Sequence, residues 1–216
     1  MCYSLQTMKN GSEKIKQNEF ESTIKQFSKI EDARDKFWEK SLTLVSEGYF
    51  LEACIIILAT WNTANFRYHL KDFKVEELVK LLKDLNNDFL NVQNITFEKI
   101  DFNENQIINT IKNIYSKLRN FVGVGPTGAV KIMALKNPNL FVMWDTQIRK
   151  NKNYGVRGTT ADDYTQFLKN IKTTFGHINW QNQKKSFAKS IDEYNYVKAE
   201  EIRTIIKKHK LANKKI

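Results

Sequence analysis

Both prolines of this 216-residue chain, Pro126 and Pro138, fall within residues 123–138, together with three of its eight glycines. Proline is the strongest breaker of a helix interior, costing about 3 kcal/mol there. Outside that stretch the backbone is free to run in helices, and apolar residues do recur mostly at helical spacing. Nothing alternates long enough to suggest a half-buried strand. The chain reads as all-α.

The segment "IEDARDKFWEKSLTLVSEG" carries acids in its first turns and ends at Gly48, the polarity of a helix with a glycine stop. "YFLEACIIILATW" is apolar nearly all round and is expected to be the buried central helix. "KVEELVKLLKDL" is amphipathic, and "NENQIINTIKNIYSKLRN" sets Ile107, Ile108, Ile111, Ile114, Tyr115 and Leu118 on one side. "TTADDYTQFLKNIKTTFG" offers a Thr cap followed by acids, and "AEEIRTIIKKHK" runs from acids to bases as the helix dipole prefers. No linker, repeat or low-complexity block divides the chain. Residues 1–18 are expected to be a loose extension, 19–212 one compact helical unit of one or two lobes, and 213–216 a basic tail.

The proline-containing stretch, "GVGPTGAVKIMALKNPNLFVMWDTQIRK", opens between two helices, one ending near Asn120 and one beginning near Pro126. Gly123 and Gly125 permit positive φ and close backbone approach, and Pro126 suits a first helical turn. The expected product is a hairpin over 121–129. Its N–H groups, with those of the new helix, can hold a phosphate oxygen, with or without a bridging monovalent cation. Taken alone, such a GxG is more often a plain turn. Further on, Asp145 follows four apolar residues and Trp144, in the segment 141–150. A carboxylate in a partly dry place is costly unless it is hydrogen-bonded, capping or catalytic, and "DTQIRK" is a good helix start.

Together these residues resemble the helix-hairpin-helix DNA glycosylase superfamily, which includes endonuclease III and 8-oxoguanine glycosylase. The interval from Thr127 to Asp145 is 145 − 127 = 18 residues, the family's separation between its lyase-lysine position and its catalytic Asp. "IIILATWNTANF" is similar, more weakly, to the family's helix and loop that enter the DNA.

The resemblance implies the all-α glycosylase fold, with the active site in a cleft. Gly123, Val124, Gly125, Thr127 and Gly128 would form the phosphate-gripping hairpin, with Arg149 nearby on DNA. Asp145 would support loss of the base. Trp61, Asn62, Trp144 and Lys131 would line the base pocket or fill the gap left by a flipped nucleotide. Thr127 stands where bifunctional members carry the Schiff-base lysine, which implies a monofunctional enzyme using water; Lys131, one turn on, is the lysine that would make it a lyase. Gln147 and Val122 stand where many members have His and Pro. The C-terminal cysteine cluster of some members is lacking, so no iron–sulfur centre is implied.

The remaining features fit a DNA partner without demanding one. Thirty-five Lys and Arg against 24 Asp and Glu give a formal charge of +11, a field that favours an anion. No apolar run reaches the roughly 18 residues of a membrane span, and the start lacks a signal-peptide core, so a cytoplasmic protein is expected; the resemblance implies a monomer acting on double-stranded DNA with a damaged or modified base, nucleoid-associated if prokaryotic. Cys2 and Cys54 cannot build a four-cysteine site, and His69, His177 and His209 are scattered without a metal pattern. Trp38, Tyr49, Phe50, Phe66 and Tyr68 are core or pocket candidates. Arg67, Lys150 and the late run containing Lys184, Lys185 and Lys189 are candidate phosphate contacts. A hairpin that grips DNA without chemistry is the reading from another class.

Overall fold

The structure, a computed structural model, describes residues 14–30, 34–149, 151, 154–182 and 185–213. Among them are eleven helices and no strand: α1 (Gln17–Ile30), α2 (Arg34–Ser46), α3 (Phe50–Trp61), α4 (Thr63–Tyr68), α5 (Val75–Asp84), α6 (Asn86–Val92), α7 (Asn105–Arg119), α8 (Gly125–Lys136), α9 (Thr146–Arg149), α10 (Ala161–Phe175) and α11 (Phe187–Asn213). The fold is all-α. Most of its buried apolar side chains form one connected cluster from Ile15 to Tyr194.

Local chemistry explains several boundaries. Helix α2 closes in a Schellman turn, with Tyr49 N–H donating to Leu44 O at 2.8 Å and Gly48 N–H to Val45 O at 3.2 Å. Gly48 takes φ +94°, which a side chain would oppose. Helix α10 begins with a capping box: Thr160 accepts from Asp163 N–H, and the Asp163 carboxylate accepts from Thr160 N–H at 2.7 Å. All six expected residues of α7 face the core. Helix α8 stops at Asn137, before Pro138, and the Asn137 carboxamide donates to Val92 O at 2.8 Å and Ile95 O at 3.1 Å.

Three expectations need correction. Ordered structure begins before residue 19: Ile15 is buried, its N–H donates to Thr174 O, and its carbonyl meets the His177 ring at 2.8 Å. Residues 1–13, with Cys2, and the tail 214–216 lie outside the described residues. Helix α3 is not buried all round; Ala53, Cys54, Ile57 and Leu58 form its inner face, while Glu52 and Ala59 are exposed. The acids of "AEEIRTIIKKHK" do not start a helix, because they lie in the interior of α11, which begins twelve residues earlier at Phe187. The short helices α4 and α6 carry too few turns to show periodicity in the sequence.

The segment that leads to Asp145 is buried but not helical. Leu140, Phe141, Val142, Met143 and Trp144 are all buried. Irregular buried backbone must find side-chain partners, and here Tyr164 Oη donates to Val142 O at 3.1 Å. Trp144 sits in an aromatic box with Tyr115, Tyr164 and Phe167, at centroid distances of 5.9, 5.1 and 5.2 Å. Burial pushes the Tyr115 and Tyr164 hydroxyls above their ordinary range, so both remain neutral donors. Cys54 is wholly buried, and burial pushes its thiol up. Among the described residues, no helix is long and apolar enough to cross a membrane.

Candidate functional site

The turn between α7 and α8 is a tight hairpin in which Gly123 and Gly125 have φ of +83° and +63°. Both angles lie in the left-handed region that glycine adopts without strain. Gly125 and Thr127 are in the first turn of α8, where an α-helix leaves N–H groups without intrahelical acceptors and presents positive potential. Val122 at the tip is exposed. Gly123, Val124 and Gly128 are buried, and the Val124 N–H donates to Phe121 O at 3.1 Å. A Cβ at Gly128 would lie 2.8 Å from both Asn62 Nδ2 and Leu58 Cδ2, which makes this glycine a packing residue.

The junction of α3 and α4 braces the hairpin from inside. Asn62 is buried, and its Nδ2 donates to Val124 O at 2.8 Å and Gly123 O at 3.4 Å. It therefore does not project as a residue that enters DNA. Trp61, half-buried, stacks on Trp38 at 5.6 Å and 28°. Lys131 Nζ donates to the Trp61 carbonyl and lies 5.7 Å from its ring centroid.

Asp145 is half-buried and caps α9: its Oδ1 accepts from Gln147 N–H at 2.7 Å and Ile148 N–H at 2.8 Å. Next to it, the Trp144 indole donates to Pro126 O at 3.2 Å. That bond ties the acid's segment to the first turn of α8. Trp144 itself is buried in the aromatic box. Arg149 is half-buried, and its Nη1 donates to Arg157 O at 2.5 Å and Gly158 O at 3.0 Å and so holds the loop before α10. Arg67 is exposed on α4, while Lys150 and Lys184 lie outside the described residues.

Behind Trp61 lies a charged cluster that the sequence did not reveal. Lys189, buried, pairs with Asp35 Oδ1 at 3.2 Å, Asp192 Oδ2 at 3.5 Å and Glu193 Oε1 at 3.6 Å. Lys185 pairs with Glu193 at 2.6 Å, so Lys185 and Lys189 are both engaged by acids of the fold. The Lys189 ammonium also lies 5.1, 5.8 and 5.2 Å from the rings of Phe27, Trp38 and Trp61. Burial pushes the Asp192 carboxyl up to about 6, opposed first by Lys189. The spacing of Lys189, Asp192 and Glu193 could have suggested helical ion pairs. Nothing in the sequence says that those pairs are buried.

The expected residues thus meet around the first half of α8: Asn62 on the hairpin, Lys131 on Trp61, Trp144 on Pro126, with Asp145 one residue on. Compared with known proteins, the chain matches no family model, no curated protein and no solved structure.

Proposed function

We propose that the chain is a monofunctional DNA glycosylase that extrudes a damaged or modified base and hydrolyses its N-glycosidic bond, with Asp145 as the central acid. The observation that carries this reading is the Trp144 to Pro126 bond, which joins a glycine hairpin suited to a phosphate to a half-buried carboxylate held by two backbone N–H groups. Extruding a base costs a few kcal/mol, which backbone binding must offset. Breaking the glycosidic bond then develops oxocarbenium character, which a fixed carboxylate stabilises while it accepts a proton from the attacking water. Thr127 offers no amine, and Lys131 is buried against the Trp61 carbonyl with Asp192 nearby. A nucleophilic amine must reach the sugar carbon, and this one is held inside the fold. The partner would be double-stranded DNA.

The alternative of a DNA-gripping hairpin without chemistry is separated from this one by a panel of duplexes carrying uracil, hypoxanthine, alkylated bases or 8-oxoguanine. Excision of one of them is expected. Tight duplex binding with no excision from any would favour the binding module.

A further inference from the structure

Asn62 stands at the N-cap position of α4, where an asparagine ordinarily accepts a bond from its own helix, yet its side chain makes no such cap. Its amide nitrogen is spent instead on two carbonyls of the hairpin, Val124 O at 2.8 Å and Gly123 O at 3.4 Å. Two backbone carbonyls converging on one positively polarised centre is also how carbonyl oxygens hold a monovalent cation. The approach is built in from both sides. Gly128 has no Cβ to collide with the carboxamide, and Asn65 packs beside Gly125.

We infer that Asn62 is the positioning residue of the hairpin and occupies with its N–H₂ group the place a cation would take, so that the hairpin's grip is independent of the cation supplied. This rests on the reading of the hairpin as a phosphate grip. The carboxamide fixes the carbonyl side of the turn, and because C=O and N–H of a trans peptide point opposite ways, holding Val124 O directs the Gly125 N–H away from Asn62. An ammonium or metal ion would be lost and regained with each solution; a side chain 8 % exposed is a permanent donor.

The test compares wild type with Asn62→Ala and Asn62→Asp in KCl, NaCl, LiCl and CsCl at equal ionic strength, so that screening is the same throughout. Thermal unfolding is read first, without DNA. The wild-type midpoint should not change with the cation. Asn62→Asp replaces the donor with an acceptor facing two carbonyls, an all-oxygen set that needs a cation, so its midpoint should depend on which is supplied. Duplex binding is read second: Asn62→Ala should bind about tenfold more weakly, having lost a buried donor from two carbonyls, with a shallower salt slope. A wild-type midpoint or affinity that depends on the identity of the cation would overturn the inference, with no variant required. So would an Asn62→Asp protein that folds and is as indifferent to the cation as wild type. Cation-indifferent wild type and cation-dependent Asn62→Asp, combined with no duplex binding by either, would sustain the clamp and refute the DNA reading.

Discussion

Lys131 and Thr127 decide between hydrolysis and lyase chemistry at the level of single side chains. A Schiff base needs an amine with access to the sugar, whereas Lys131 Nζ donates to the Trp61 carbonyl in a buried place. Borohydride added during turnover should therefore trap no protein–DNA adduct. An adduct present in wild type and absent from Lys131→Gln would assign the chemistry to that amine. The positions of Asp145 and the hairpin glycines were legible in the sequence, because left-handed turns and helix caps have strong residue preferences. The inward direction of Asn62, Trp144 and Arg149 was not, since an amide, an indole or a guanidinium serves equally well inside or outside. Only the folded position of Gly123, Pro126 and the carbonyls of residues 157 and 158 selects between them.

Among the helices, the junction of α2, α8 and α11 holds the largest electrostatic stake. Removing one partner of a buried ion pair leaves the others uncompensated, so Lys189→Met should destabilise the fold by about 3–5 kcal/mol in chemical denaturation. Asp192 adds a pH signature. Burial raises its pKa from 3.8 to about 6, against the attraction of Lys189 and Lys131 and with the repulsion of Glu193, while Asp35 on α2 shares Lys189. A raised pKa contributes stability that is complete below 3.8 and lost as pH rises to about 6. The stability of wild type relative to Asp192→Asn should fall across that interval; a difference that rises or stays flat would contradict it. Helices α7 and α10 could be read from periodicity and caps. The 27-residue run of α11 could not, because charged residues lie on its buried face and conceal the apolar stripe that marks a packed helix.

Over the whole molecule, the formal charge of +11 is a field that attracts anions, the proposed DNA among them, while the structure engages Lys185, Lys189 and Arg149 internally. Binding should thus depend on few phosphates. A plot of log K against log salt should have a slope of about −3 to −5, near 0.9 for each phosphate neutralised. A slope near zero would remove nucleic acid as the partner. The proposed glycosylase joins that attraction to one acid, Asp145, and the decisive measurement is excision from single-lesion duplexes by wild type and Asp145→Asn, read before and after alkali. Strand breaks are expected only after alkali, reduced by at least about 100-fold in Asp145→Asn. Equal excision by the two proteins would contradict it.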